Sequence, residues 1–290
     1  MGMTAIRNLT GSKIAFAATS VMAAAAVALA CGLCPGSAFA AQLQAGDASV
    51  QDSALSAQAA TKTVYVITDI NETADWGIVS KTATKYTYAN NGLLKKSVAS
   101  NNMDGKTTTT YAYNGAVLKN KKLVYSGGTN TVAYTANKNG KITKATQTIP
   151  QSSGKIARNY TAKYKSGNIN RISWKEIFEM NGEKTTSNDV CTYTYKNGRV
   201  ATRTLYGTKT TYAYDAKGNV KNIGGSKYKN KYNAKKQLVK TTQSETGFKY
   251  TKTYKYRAIK VKASLADKVQ AQQWSLINDN LNFAFGIDVL

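Results

Sequence analysis

Tyr212-Ala213-Tyr214-Asp215-Ala216-Lys217-Gly218-Asn219-Val220 contains, in nine residues, the unit from which most of the chain is built. Two tyrosines at an offset of two share one face of a strand. A glycine turn follows, and a branched aliphatic residue stands just beyond it. The unit returns as Tyr193-Thr-Tyr195-Lys-Asn-Gly198-Arg-Val200, Tyr111-Ala-Tyr113-Asn-Gly115-Ala-Val117 and Tyr86-Thr-Tyr88-Ala-Asn-Asn-Gly92-Leu-Leu94. Tyr232-Asn-Ala-Lys-Lys-Gln-Leu238 keeps the pattern with lysine in the glycine position. Self-similarity of this kind marks a repeat architecture.

Glycine-centred turn signals run from Asn91-Gly92 to Thr246-Gly247, with Lys235-Lys236 filling the one gap in the series. Asn-Gly and Asp-Gly favour two-residue hairpins because both central residues of a type I′ turn need positive φ. A mean spacing of about twelve residues leaves strands of roughly seven to ten, and predicts an antiparallel meander of about fifteen strands. The segments between turns alternate. Lys249, Thr251, Thr253, Lys255 and Arg257 share one face, opposite Tyr250, Tyr254 and Tyr256. Lys227, Lys229 and Lys231 alternate with Tyr228 and Tyr232, and Lys163 and Lys165 with Tyr160, Ala162 and Tyr164. The expected fold is all-β, a long hairpin meander forming a curled or spiralling sheet with one aromatic face and one Lys/Thr face.

The ends differ from the middle. Thr63–Thr68 and Trp76–Val79 read as a first strand pair. Residues 81–262 hold 36 basic and 7 acidic groups, net +29, whereas residues 263–290 hold Lys268 against Asp267, Asp279 and Asp288, net −2. In that last segment Leu265, Val269, Trp274, Ile277, Leu281 and Phe285 recur at helical spacing, with Ser264 as N-cap. An amphipathic C-terminal helix covering the sheet is expected over 263–290; a further strand pair is the other reading of the segment.

At the other end, Arg7 and Lys13 precede an alanine-rich apolar run, and Ala38-Phe39-Ala40 places small residues at −3 and −1 of a cleavage site. This predicts a secretory signal peptide over 1–40, the competing readings being a transmembrane anchor and acylation of Cys31. Residues 41–61 read as a flexible linker and 62–262 as the β-repeat domain. Cleavage would leave Cys191 as the one cysteine, so the mature chain has no internal disulfide, and its neighbours mark it as a small buried hydrophobe. No integral membrane segment would remain.

The string around Asp215 resembles the YD repeat of Rhs-type proteins, Tyr-x-Tyr-Asp-x-x-Gly-x-Leu, over about residues 81–256; the other copies replace the aspartate with other residues. The resemblance implies a secreted or surface-displayed bacterial sheet of β-hairpins that coils into a shell or ribbon. It also implies an alternative role as a scaffold or docking component of a polymorphic-toxin or contact system, with the C-terminal helix meeting a protein partner.

With 40 Lys+Arg, 15 Asp+Glu and no histidine the chain carries +25, and every His-dependent triad or metal site is excluded. No cofactor motif is present. Catalysis would fall to carboxylates, and Glu176, Glu179 and Glu183 beside Trp174 form the densest group. An odd offset puts Glu176 and Glu179 on opposite faces of a strand, which disfavours a glycosidase pair. The expected function is non-enzymatic: an extracellular or cell-surface protein binding anionic polysaccharide or teichoic acid, with extracellular nucleic acid a further polyanion of the same kind. The candidate ligand-binding residues are Lys163, Lys165, Lys227, Lys229, Lys231, Lys249, Lys255 and Arg257, cations spaced about 7 Å along a strand and about 5 Å across strands.

Overall fold

The computed structural model describes residues 60–278. The expected signal peptide, nearly all of the linker, and Leu281 and Phe285 lie outside them. The wall begins with β1 (Thr61–Asp75), β2 (Val79–Tyr88), β3 (Leu94–Asn101), β4 (Gly105–Asn114), β5 (Val117–Tyr125) and β6 (Gly128–Ala136). It continues through β7 (Ile142–Gln151), β8 (Gly154–Lys165), β9 (Asn168–Met180), β10 (Glu183–Lys196), β11 (Arg199–Leu205) and β12 (Thr208–Tyr214). It ends with β13 (Val220–Ile223), β14 (Ser226–Lys227), β15 (Lys229–Tyr232), β16 (Leu238–Glu245), β17 (Phe248–Lys262) and the helix α1 (Ala263–Ile277).

Except for β14 and β15, each strand pairs antiparallel with the next, and β1 pairs with both β2 and β17, so the sheet returns to its start. The all-β hairpin meander with a C-terminal helix is as the turn series implies, and its curl goes as far as a barrel. β14 and β15 are two halves of one strand that changes partner at Tyr228: β14 pairs with β13, and β15 with β16. Counted as one, they make a ring of sixteen strands. An even number is what lets the last strand meet the first antiparallel.

Closure needs curvature, and the repeat supplies it. At the α1 end of the wall the second tyrosine of each unit faces the aliphatic residue across the turn: Tyr88 meets Leu94, Tyr164 meets Ile169, Tyr195 meets Val200 and Tyr214 meets Val220. Immediately beyond each such pair the register skips one residue. The same skip follows Tyr113–Leu118, Ala136–Ile142 and Tyr232–Leu238, and it recurs across the closing seam at Tyr256–Ile67. A bulge bends its strand and adds twist, so one at the same level in every hairpin curls the sheet evenly. The tyrosine hydroxyls then tie neighbouring units together, donating to the carbonyls of Ile67 (from Tyr88), Ile142 (Tyr164), Ile169 (Tyr195), Val200 (Tyr214) and Leu238 (Tyr256) at 2.7–2.9 Å. Burial pushes the ionisation of Tyr88, Tyr195, Tyr214 and Tyr256 well upward, so these donors keep their protons.

β1 departs from the expected strand pair. Trp76-Gly77-Ile78 is a turn, and Thr61–Asp75 is one continuous strand through the polar run Asp69–Asp75. Those residues have low strand propensity, and neighbours override it. Asp69 stands opposite Lys255 and Lys85, Glu72 opposite Lys252, and Asp75 opposite Lys249. The helix also differs in detail. Its N-cap is Lys262, not Ser264, and no side chain caps it, because the chain enters α1 directly from β17 and the Ala263 amide donates to the Ala60 carbonyl. Its buried side carries Gln272, Gln273 and Ser275 beside Ala266, Val269 and Leu276, so apolar spacing described it only in part. Gln273 Oε1 accepts from the Ile67 amide and the Tyr88 hydroxyl, and Gln272 Oε1 accepts from the Leu94 amide. These bonds seat α1 against the barrel end.

Gly92 sits under that seat with φ +86°, and a Cβ there would lie 2.4 Å from Val261 Cγ1. Lys236 holds the corresponding turn position with φ 62°. Urea denaturation of Gly92→Ala is expected to show a loss of about 2 kcal/mol or more, from backbone strain plus overlap. Lys236→Gly is expected to leave stability unchanged or raise it by up to about 1 kcal/mol, since a lysine then no longer occupies the left-handed region.

Candidate functional site

Two surfaces compete as the site: the lumen and the outer wall. The strand pleat sends alternate residues to each. Tyr111, Tyr134, Tyr160, Trp174, Tyr212 and Tyr254 are buried, together with Ile70, Ile142, Ile169 and Ile172. All eight expected ligand-binding residues, Lys163, Lys165, Lys227, Lys229, Lys231, Lys249, Lys255 and Arg257, are exposed. The aromatic face is therefore inside and the Lys/Thr face is outside.

The lumen holds polar groups that alternation alone places there. Lys252 lies at the parity of Tyr250 and Tyr254, so it points inward, is 3% exposed, and pairs with Glu72 at 2.8 Å. Glu72 also accepts from the Tyr250 hydroxyl. Arg158 is paired with Glu176 on the next strand, while Glu179 pairs with Lys155 at 3.4 Å. The two glutamates face opposite sides, as their offset requires, and each is engaged by a cation. Trp174 stacks on Tyr160 and meets Tyr206 edge-on. Beneath α1 a pocket lined by Tyr228, Asn230, Thr241, Lys252, Ile277 and Asn278 has room for about one water molecule. Among the described residues no group of three His, Cys, Asp or Glu is placed to hold a metal ion. Cys191 is free and buried, and burial raises its thiol pKa.

Asp215, the aspartate of the best-formed repeat, has a structural task. Where the strand changes partner at Tyr228 the backbone ladder is thin. There Asp215 Oδ1 accepts from the Lys217 and Asn219 amides, and Oδ2 from Asn230 Nδ2 and the Tyr232 hydroxyl. Asn230 Nδ2 also donates to the Val220 carbonyl, and Thr241 Oγ1 donates to Asn230 Oδ1. Asn278 at the end of α1 reaches the same place, accepting from the Val220 amide and donating to Asn219 Oδ1. Side chains thus bridge β12, β13, β15, β16 and the helix. Burial alone would raise the Asp215 pKa; the bonds from Tyr232, Asn230 and the two amides outweigh it and hold the carboxyl below its usual range. Burial, with the bond to Asp215, pushes Tyr232 up to about 12.

Outside, the wall divides the expected residues. Lys227 on β14, Lys229 and Lys231 on β15, and Lys249, Lys255 and Arg257 on β17 fall within three neighbouring strand positions of the ring. Between them β16 adds Lys240, directly opposite Lys231. Lys163 and Lys165 lie on β8, six to eight strands away in a ring of sixteen, with Arg171 opposite Lys163 and Lys144 opposite Thr161. Like charges directly opposed in a sheet are destabilising. Lys231–Lys240, Lys163–Arg171 and Lys196–Arg199 all stand in that relation, exposed. Some cations at the α1 end are partly engaged: Lys141 lies over the Tyr164 ring and Lys217 over Tyr232.

No family model matches the chain. No curated protein matches it in sequence. Among solved structures, a porin-like protein from Bacteroides uniformis ATCC 8492 is similar at a TM-score of 0.43 and 11% identity, over 66% of this chain and 98% of that one. A likeness that distant carries no argument about function.

Two outcomes follow from the inward-facing groups. Glu72→Gln leaves a buried ammonium without its carboxylate, and is expected to cost about 2–3 kcal/mol in urea unfolding. Lys252→Met should cost less, because Glu72 is the more exposed partner, and the double variant should be more stable than the sum of the two losses implies. Asp215 sets a pH dependence of definite sign. Its folded pKa is depressed, so its stabilisation is present above the unfolded carboxylate range and is lost as pH falls through the folded value. The stability gap between the protein and Asp215→Asn, read from thermal midpoints, should narrow as pH is lowered from about 5.

Proposed function

We propose that this chain is an exported, non-catalytic β-barrel that binds anionic polysaccharide of a cell envelope or host surface through its outer Lys/Thr wall. The observation that carries this reading is the exposure of every one of the eight expected cations on the outward side of a sheet whose aromatic side is buried. Exposed like-charge pairs add to it, since an anion bridging two opposed cations turns their repulsion into attraction. Threonines between them, such as Thr131, Thr161 and Thr194, add hydroxyl donors on the same face.

The same wall is built the wrong way round for lipid. A barrel that crosses a membrane turns an apolar band outward, and a lysine at the bilayer midplane costs about 2–4 kcal/mol. Here Lys85, Lys96, Lys163, Lys229 and Lys240 point outward from five different strands. The barrel belongs in water, and an extracellular or surface location follows from the signal-peptide features of residues 1–40.

The test is retention on immobilised heparin and on a teichoic-acid matrix, with neutral dextran as control. Elution should require well above 0.15 M NaCl on both anionic matrices, with little retention on dextran, because binding by counterion release falls steeply with salt. Replacing Lys227, Lys229 and Lys231 by threonine should lower the eluting salt while circular dichroism stays unchanged. Elution at or below about 0.15 M, or equal retention on dextran, removes the reading. Tighter retention on DNA than on either glycan matrix would transfer it to extracellular nucleic acid.

A further inference from the structure

Closure of the sheet has a consequence for binding that an open ribbon would not have. An open ribbon presents its cations to one side, whereas a closed ring presents them all round. Lys227, Lys229, Lys231, Lys249, Lys255 and Arg257 face outward from β14–β17; Lys163, Lys165 and Arg171 face outward from β8 and β9 on the far part of the ring. We infer that one molecule holds two anionic polysaccharide chains at once and so cross-links them, an activity that rests on the wall's being a polyanion-binding surface.

Magnitudes favour it. A sixteen-stranded barrel with strands about 4.8 Å apart and tilted by about 40° is roughly 30 Å across. The Debye length at 0.15 M ionic strength is about 8 Å. A polymer on the β14–β17 side is therefore screened from one on the β8–β9 side, and binding the first neither repels the second nor discharges its cations. A stiff, linear glycan cannot follow a cylinder of that radius round to its other side. The far group of cations remains open to a second chain. Both groups are predominantly basic: Lys144, Lys163 and Arg171 stand together around β8 and Lys229, Lys231 and Lys240 around β15, with Asp69 and Asp75 of β1 beside only the Lys255 and Lys249 end of the second group.

The experiment uses heparin of full length and a short heparin oligosaccharide, both at 0.15 M NaCl. With full-length heparin, light scattering should rise to a maximum at an intermediate protein-to-polymer ratio and fall on either side, the signature of bridging. Calorimetry with the oligosaccharide should give at least two bound per protein and no scattering. Two variants separate the groups: Lys227→Thr with Lys229→Thr and Lys231→Thr, and Lys163→Thr with Lys165→Thr and Arg171→Thr. Threonine suits an exposed strand, so both should fold. Each should bind fewer oligosaccharides than the parent and scatter about fivefold less at its maximum, because linked sites act together. A single oligosaccharide per parent molecule, or retention on heparin with no scattering maximum, overturns cross-linking and leaves the binding wall in place. Absence of any binding to heparin at this salt overturns both.

Discussion

Everything in this molecule depends on β1 being paired on both edges. A hairpin meander with about fifteen turns could stop as an open ribbon, with an aromatic face exposed to water and two free edges. Pairing of β1 with β17 removes both faults together. The seam is written in charge: Asp69, Glu72 and Asp75 on β1 stand opposite Lys255, Lys252 and Lys249 on β17 in a single register. A slip of one residue would put acids beside threonine and tyrosine and turn every side chain to the wrong face. Within that seam only the Glu72–Lys252 pair is inward and desolvated. It contributes less through net attraction than through the cost of any alternative register that separates it.

A second dependence follows from closure. The ladder thins where β14 gives way to β15, and a ring is no stronger than its thinnest join. Asp215, Asn219, Asn230, Tyr232 and Asn278 meet there, and the end of α1 is fastened by the same network. The helix is thus part of the wall's continuity as well as a cover for its end: Gln272 and Gln273 hold it to β1, β2 and β3, and Asn278 holds it to the turn before β13.

Much of this was legible in the sequence, for a physical reason. Turn chemistry and side-chain parity are local, so the Gly-centred turns and the alternation of Lys with Tyr can be read residue by residue; Lys236 even takes the left-handed φ its place in the series demands. The inward setting of Lys252 was legible by the same parity, between Tyr250 and Tyr254, although its charge argues for the other face. Three features were not legible. Asp69–Asp75 lies between the two segments that read as strand, and joins the first of them because lysines from distant segments flank it. Gln272, Gln273 and Asn278 read as a polar helix side and are buried because unpaired backbone amides of Ile67, Leu94 and Val220 await them. Asp215 reads as the mark of a well-kept repeat, and the sequence shows its local turn amides, whereas its other two partners, Asn230 and Tyr232, come from a strand that begins eleven residues after the turn closes.

Closure also bears on the role proposed for the charge. In a flat sheet the lysines could be explained as guards against edge-to-edge association, since Lys on an edge strand serves that end. A ring has no edges to guard over most of its height, and solubility is met as well by mixed charge as by one sign. Yet the outward positions are overwhelmingly basic, with like charges opposed in several cross-strand pairs. Repulsion of that kind destabilises the barrel in isolation. Its retention on the face that closure leaves in water is the strongest reason to look for a polyanion there, while most of the tyrosines, Tyr65 and Tyr206 apart, are turned inward and hold the wall together.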